Sequence, residues 1–141
     1  MKVFQAATTI AAAPETIWAI LTNAAGYPEW DPGVERIEGR IAPGEKITAY
    51  TKLSPGRAFP VTVTVFEPGR KMVWASGMPL GLFKGERTFT LSPQSQGTTE
   101  FRLREEFSGL LLGLIGRSIP DMTSTFEQFA AGLKGRAERA G

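Results

Sequence analysis

LFKGERTFTL (82–91) and TTEFRLREEF (98–107) decide the fold, because their alternation defines two strands and the two faces of one sheet. The apolar sets that must point into the core are Phe83, Gly85, Arg87, Phe89 and Leu91 on the first strand, and Phe101, Leu103, Glu105 and Phe107 on the second. Each set contains one charged residue, Arg87 or Glu105. A hairpin turn at 94–97 would place Arg87 opposite or diagonal to Glu105.

Arg87 and Glu105 admit three interpretations. A lone buried charge is costly, so a salt bridge that orders the sheet interior is the first. The second is a polar anchor in an otherwise apolar cavity, where the pair would orient or polarise a ligand. The third is simple exposure at the end of a strand.

The chain from 34 to 107 alternates like a series of six short strands. The runs before the two quoted above are VERIEGRI, EKITAYTKL, AFPVTVTVFE and KMVWAS, and turn material such as APGE, SPGR, EPGR and GMPLG separates them. VFQAATTI (3–10) precedes them as a first strand. Connections this short favour antiparallel neighbours.

Helical patterns lie on both sides of these strands. AAPETIWAILTN (12–23) starts a helix at Pro14, Gly26 can end it, and Pro28 can open a second short helix that carries Trp30. A long helix is expected from about Ser118 to Ala140, with Pro120 and Asp121 in its first turn. Its apolar stripe comprises Ile119, Met122, Phe126, Phe129, Ala130, Leu133 and Ala137. The order predicts one α+β domain, 1–141, in which a curved seven-stranded antiparallel sheet wraps around the C-terminal helix.

Composition excludes several classes of site. The 141 residues include no cysteine and no histidine, so disulfides, thiolate metal sites and histidine-based catalysis are not expected, and we predict no metal and no cofactor. A net charge of +2, with scattered basic residues, argues against nucleic acid. The sequence shows no signal peptide and no membrane-spanning run, so a cytoplasmic location is expected. A homodimer stays open.

Two further segments have alternative interpretations. Trp30 in GYPEWDP is a structural plug, the lip of a cavity or a surface patch for a partner, and burial of large aromatic side chains favours the plug. GLLLGLIGR (109–117) packs into the interior, or forms a lid hinged at its glycines, or contacts a membrane or a partner subunit.

Other inward-facing candidates are Val61, Val63, Val65, Met72 and Trp74. Plain core is the simpler interpretation of each one. Only together do they suggest a cavity, and an empty cavity below about 300 Å3 would favour plain core.

The pieces APETIWAILTN, GYPEWDPGV, LFKGERTFTL and TEFRLREEFSGLL, followed by the long helix, resemble the START-like (SRPBCC) superfamily, and most closely its polyketide cyclase/dehydrase group of small bacterial domains. The resemblance spans essentially the whole chain and implies a helix-grip fold around a deep apolar cavity. PEWDP matches the Pro-x-Trp of the family, and Glu105 and Gly109 match its Glu-x-Phe-x-Gly pattern. Arg87 stands where relatives often have histidine, which weakens any transfer of acid–base chemistry.

Three functions therefore remain open. The leading one is binding or transport of a hydrophobic small molecule such as a lipid, polyketide or quinone. A cofactor-independent cyclase/dehydratase would need an acid or base, for which Glu105, Arg87 and Tyr50 are the only candidates. The third is a co-chaperone-like or toxin-like interaction module. The candidate ligand-binding residues are Trp30, Val63, Trp74, Phe83, Arg87, Phe89, Phe101, Glu105, Met122, Phe126 and Phe129.

Overall fold

The sheet contains seven strands, all paired antiparallel, in the order β1-β7-β6-β5-β4-β3-β2. A computed structural model of the chain describes residues 1–116 and 119–140. The strands are β1 (Lys2–Ile10), β2 (Val34–Glu38), β3 (Lys46–Thr51), β4 (Ala58–Glu67), β5 (Lys71–Gly77), β6 (Lys84–Pro93) and β7 (Thr99–Ser108). Strands β2 to β7 form a meander and β1 lies beside β7, which confirms the predicted sheet.

Helix α3 (Thr123–Ala140) covers the inner face of this sheet. It buries Phe126, Phe129, Ala130, Leu133 and Ala137, all members of the predicted stripe. The other helices are α1 (Pro14–Leu21), a 3-10 helix (Ala24–Glu29) and α2 (Leu112–Ile115), and short 3-10 turns lie at Pro79–Gly81 and Ser95–Gly97. A curved sheet that holds a long C-terminal helix is the predicted helix-grip fold.

The short helix after α1 lies earlier than predicted. It spans Ala24–Glu29, so Gly26 is inside it and Trp30 follows it. Helix α1 already ends at Leu21, where the backbone N–H of Thr22 donates to the Trp18 carbonyl at 3.0 Å and the Thr22 hydroxyl donates to the same carbonyl at 2.8 Å. Pro28 is tolerated inside so short a helix because few of its N–H groups have intrahelical partners.

Helix α3 begins later than predicted. The Asp121 carboxylate accepts the Thr123 N–H at 3.0 Å, so Asp121 and Pro120 precede the helix and do not form its first turn. Ile119 and Met122 also precede it, although both pack against the core. Ser118, the predicted start, lies outside the described residues.

A β-bulge in β4 overturns one predicted orientation. Val63 pairs with Trp74 and Val65 pairs with Val73, so the register shifts between them. Because directly paired residues share a face, Val65 lies on the outer face with Val73. Phe66, opposite Met72, packs against the core in its place. An inserted residue reverses strict alternation, which sequence periodicity cannot reveal.

Trp30 packs between the 3-10 helix and α3. Its ring centroid lies 4.6 Å from that of Tyr27 and 4.9 Å from that of Phe129, and 6% of the residue is exposed. Gly132 of α3 faces the Trp30 backbone, where an added Cβ would collide with the Trp30 carbonyl oxygen. The missing side chain at Gly132 therefore lets α3 approach this segment.

The apolar segment after β7 is only partly packed. Leu110 and Leu114 are exposed, whereas Leu111, Leu112 and Ile115 are half-buried, so the prediction of an interior location fails for the two exposed leucines. The Leu111 N–H donates to the Leu82 carbonyl at 2.8 Å, which ties the segment to the β5–β6 connection. Arg117, the last residue of the predicted loop, lies outside the described residues.

Candidate functional site: a cavity between the sheet and helix α3

A cavity of about 70 Å3 lies between the strands and the beginning of α3. Its walls are mostly apolar, and its polar or charged side chains come from several different elements. It reaches the surface near Leu53, which is half-exposed. The lining residues are Tyr27, Asp31, Gly33, Val34, Ile37, Ala49, Thr51, Leu53, Trp74, Arg87, Leu103, Met122, Thr125, Phe126 and Phe129.

One row of paired residues crosses the inner face of the sheet beneath α3. Trp74 of β5 pairs with Arg87 of β6, and Arg87 pairs with Glu105 of β7. We call these three residues the polar row. Val63 and Phe4 flank it as the apolar partners of Trp74 and Glu105. The register places Arg87 directly opposite Glu105, which is one of the two placements, opposite or diagonal, that the hairpin alternation predicts.

Arg87 and Glu105 form a largely buried ion pair. The Arg87 Nε and Nη2 atoms lie 3.1 and 3.0 Å from the same Glu105 oxygen, Oε1, and the two side chains are 23% and 13% exposed. The guanidinium carbon also lies 5.0 Å from the Phe126 ring centroid, within the range of a cation–π contact. The pair thus orders the sheet interior, and Arg87 also lines the cavity.

Tyr27 and Asp31 bring further polar groups to the same cavity. The Tyr27 hydroxyl donates to the Leu21 carbonyl at 2.6 Å, and burial raises the pKa of Tyr27 well above its ordinary value. The Asp31 carboxylate accepts the Gly33 N–H at 3.0 Å. Burial raises the pKa of Asp31, while the Gly33 N–H, and then the charges of Arg87 and Lys52, oppose this rise.

Trp74 contributes a buried donor. Only 4% of the residue is exposed, and its Nε1–H has no hydrogen-bond partner among residues 1–116 and 119–140. Buried indole N–H groups usually have a partner. Trp74 packs on Phe89 with 4.7 Å between ring centroids, which fixes the indole against the inner face of the sheet.

The structure brings five predicted site residues to the cavity wall: Trp74, Arg87, Met122, Phe126 and Phe129. Glu105 lies just behind the wall as the partner of Arg87.

The remaining predicted site residues lie outside the cavity lining. Val63, Phe89 and Phe101 are fully buried in the core, and Trp30 packs edge-to-face against Phe129 without lining the cavity. Phe83 precedes β6, is half-buried and stacks on Phe107 with 5.8 Å between ring centroids. Its location is the end of the sheet, away from the cavity.

Tyr50, the further acid–base candidate, faces away from the cavity. Its hydroxyl lies 3.3 Å from a Glu38 carboxylate oxygen, and the guanidinium carbon of Arg36 lies 3.8 Å from its ring centroid. Its neighbour Ala49 occupies the inner face, because successive strand residues alternate.

Sequence reasoning missed the contribution of β2 and β3. Alternation in EKITAYTKL would have placed Ala49, Thr51 and Leu53 on one face, and all three line the cavity. It also missed Asp31, which lies beside Trp30 in the segment that crosses to β2. No periodic signal marks Asp31, since it lies in an irregular segment, although an acid among aromatic residues was visible.

Two features of the described residues bear on the kind of site. No group of three or more acidic side chains is placed to hold a metal ion within residues 1–116 and 119–140. In the same part of the chain, no helix combines the length and apolar character needed to span a membrane.

A family model described as "Polyketide cyclase / dehydrase and lipid transport" matches residues 1–138. The chain belongs to this family. The resemblance inferred from the sequence pieces is therefore confirmed, over nearly all of the chain. No curated protein matches the chain.

Solved structures of similar fold agree with this family. A Mesorhizobium loti protein has a TM-score of 0.75 at 21% identity and covers 99% of both chains. A START superfamily protein from Mycobacterium smegmatis has a TM-score of 0.68 at 18% identity, again with 99% of both chains covered. The Zhui aromatase/cyclase of a Streptomyces species has a TM-score of 0.70 at 15% identity, and the match covers 98% of this chain and 94% of that one. At these identities the likeness shows the fold alone.

Proposed function

We propose that this protein binds a hydrophobic small molecule, such as a lipid, polyketide or quinone, between the sheet and α3. Membership of a family described by polyketide cyclisation and lipid transport supports such a ligand. The mostly apolar walls would bury its body, and the opening near Leu53 gives a route of entry.

The observation that carries this proposal is the placement of Asp31 and Arg87 on the cavity wall. Burial of a charged group is costly, and in a plain core this cost would be offset for Arg87 by Glu105, whereas Asp31 forms no ion pair within the described residues. Ligand sites, in contrast, combine apolar walls with a few polar groups that fix orientation. Asp31 and Arg87 reach the cavity from different elements, so two separate parts of the chain contribute polar groups to it.

The cavity size adds a requirement. At about 70 Å3 it falls well below the roughly 300 Å3 of ordinary ligand sites, and by this size criterion it favours plain core. Binding of a whole ligand therefore requires the walls to open. Met122 and Leu53 lie on this wall, and neither is fully buried. Methionine adapts to irregular shapes because it is unbranched and flexible. We therefore place the opening movement at the start of α3 and the end of β3.

Binding of the uncharged fluorescent probe N-phenyl-1-naphthylamine tests the proposal. Ala49 lines the cavity, so A49L would fill it, whereas Ala131 is exposed on α3 and A131L serves as a control with the same added volume. We expect the wild type and A131L to enhance the probe fluorescence and A49L to lose most of this effect. Equal binding by A49L and the wild type would place the probe elsewhere and contradict the proposal.

A second candidate function is that of a cyclase or dehydratase, and Asp31 is the residue that supports it. A carboxyl group whose pKa is raised by burial can transfer protons near neutral pH more readily than an exposed one. Glu105 is less suited to this role, because it is engaged by Arg87.

Native mass spectrometry of wild type and D31N, each purified from the original host, separates the two functions. If the protein is a dehydratase, the wild type should release its product, whereas D31N should retain the unreacted substrate, which is heavier than the product by one water. The same bound molecule in both proteins would support binding alone.

A further inference from the structure

The Trp74 indole N–H is a buried donor that the described part of the chain leaves without an acceptor. A donor that loses water on burial and gains no partner destabilises the folded protein. Such groups are rare in folded proteins, and each needs a specific explanation. Trp74 also lines the cavity, although its Nε1 atom is not itself accessible there, so a molecule in the cavity becomes a candidate partner for this N–H once the walls open as ligand binding requires.

Arg87 places a second donor group beside Trp74. The two residues are directly paired across β5 and β6, and paired side chains on one face lie about 5 Å apart at Cβ. Both described ion-pair contacts of Arg87 go to the same Glu105 oxygen. A guanidinium carries five N–H donors in a planar fork, so a single oxygen does not use all of them. Trp74 and Arg87 thus form a donor pair on one cavity wall.

The charges around this donor pair favour a neutral acceptor. Glu105 already balances the Arg87 guanidinium at 3.0 Å. Asp31 lines the same cavity, so a ligand carboxylate would meet a second negative charge. A carbonyl oxygen accepts hydrogen bonds without adding charge.

We propose that the cavity selects neutral ligands through a carbonyl oxygen that accepts a hydrogen bond from the Trp74 Nε1–H beside Arg87. This inference rests on the proposed binding function and specifies its ligand. A cavity of about 70 Å3 accommodates one small group, so the carbonyl end enters and the rest of the ligand extends towards Leu53.

Two compounds of the same shape test the inference. Acetophenone carries a carbonyl oxygen, and α-methylstyrene has a CH2 group in its place. Titrations of the 15N-labelled protein give both affinities and report the indole N–H signals of its three tryptophans. We expect acetophenone to bind about ten-fold more tightly, the value of one good hydrogen bond, and to move the Trp74 indole signal downfield.

Matched variants assign the effect. W74F keeps an aromatic ring and removes the N–H, so it identifies the Trp74 signal and should bind both compounds equally. W30F is the control, because Trp30 is also buried but lies outside the cavity lining. It should retain the preference for acetophenone. Thermal unfolding establishes that both variants fold. If W74F does not, W18F and W30F assign the remaining indole signal to Trp74 by elimination, and the shift of that signal in the wild type still tests the proposal.

Three results would overturn the inference. Equal affinities without a shift of the Trp74 signal would show that the cavity binds apolar molecules while water satisfies this donor, which leaves the proposed function intact. Tighter binding of benzoate than of acetophenone would show that the site prefers an anion. No binding of any of these compounds, together with no binding of N-phenyl-1-naphthylamine, would reject the proposed function as well.

Discussion

Asp31 makes the stability of this protein depend on pH in an unusual direction. Burial raises its pKa in the folded state above that in the unfolded chain, so the folded state binds more protons in the interval between the two values. Stability therefore falls as the pH rises through that interval. We expect D31N, which keeps an oxygen for the Gly33 N–H, to lose this fall. Urea unfolding of both proteins from acidic to neutral pH measures the difference.

Asp121 provides a control of opposite sign. Hydrogen bonds from Thr123 lower its pKa, so its contribution is present above its ordinary pKa and is lost as the pH falls. D121N should therefore remove a rise of stability with pH. An unchanged pH profile in D31N would show that Asp31 is hydrated in the folded protein.

The Arg87–Glu105 pair should be strongly coupled. Removal of one partner leaves a charge in a largely buried place, so we expect E105L to lower the free energy of unfolding by about 2–4 kcal/mol, after allowance for residual exposure. The double variant R87M/E105L should lose clearly less than the sum of the single variants. Chemical denaturation of all four proteins of the cycle measures this coupling.

The exposed pair of Arg102 and Glu100 gives the comparison for this cycle. These two residues lie on β7 at 3.0 Å, but the side chains are 60% and 30% exposed. We expect a coupling below about 1 kcal/mol there. Similar coupling in both cycles would contradict the view that burial makes the inner pair important.

At this scale, the sequence identified the inner pair and four further residues of the cavity wall, Trp74, Met122, Phe126 and Phe129, but not Asp31, Tyr27 or the residues of β2 and β3. Alternation in two adjacent strands was enough to place Arg87 opposite or diagonal to Glu105, because hairpin register follows from the turn, and the structure shows the direct pairing. Tyr27 lies in the short 3-10 helix and Asp31 in the irregular segment after it, and the path of both depends on packing against α3. No local rule predicts which way their side chains point.

Within α3, Gly132 and Gly135 should respond in opposite ways to alanine. Alanine normally stabilises a helix interior relative to glycine by about 0.5–1 kcal/mol. At Gly132 the added Cβ meets the Trp30 carbonyl, a backbone atom that cannot turn aside, so we expect G132A to destabilise the protein by about 1–3 kcal/mol.

Gly135 is the matched control on the same helix. Its added Cβ would meet only the end of the flexible Arg139 side chain, at 3.2 Å. G135A should therefore stabilise the protein or leave it unchanged. Thermal unfolding of both variants decides, and stabilisation by G132A would mean that α3 can move away from Trp30 without cost.

The elements themselves were largely predictable, and their irregularities were not. Each strand was recognised because short alternating runs lie between turn residues. The bulge between Val63 and Val65 reverses the alternation locally, and the Asp121 side chain delays the start of α3. Both depend on single local contacts that leave no periodic trace.

For the whole molecule, the two edges of the sheet should differ in local stability. Strand β1 has nine residues, pairs with β7 along its length and packs under α3, whereas β2 has five residues and a register shift. We expect backbone amides of β1 to exchange with deuterium at least about ten-fold more slowly than those of β2. Hydrogen exchange followed by mass spectrometry tests this. Equal exchange at both edges would show that packing under α3 gives β1 no added protection.

The overall architecture followed from the sequence because one amphipathic helix and seven strands have few ways to bury their apolar faces. The cavity did not follow, because a space of about 70 Å3 is the small difference between large packed volumes. A single larger side chain on the wall would fill this cavity, and a single smaller one would enlarge it. Periodicity determines which face is buried, but not how completely.

Pairing of β1 with β7 also has a consequence for biosynthesis. Strand β1 pairs with residues 99–107 of β7. Helix α3, which covers both strands, comes later still, and its last buried residue is Ala137. The first strand thus leaves the ribosome long before its neighbour exists. Closing so long a loop costs conformational entropy before any contact between the strands can offset it, so the pairing forms slowly. Until it forms, the nascent chain carries unpaired apolar strands. We therefore expect the nascent chain to be most prone to aggregation while its second half is translated.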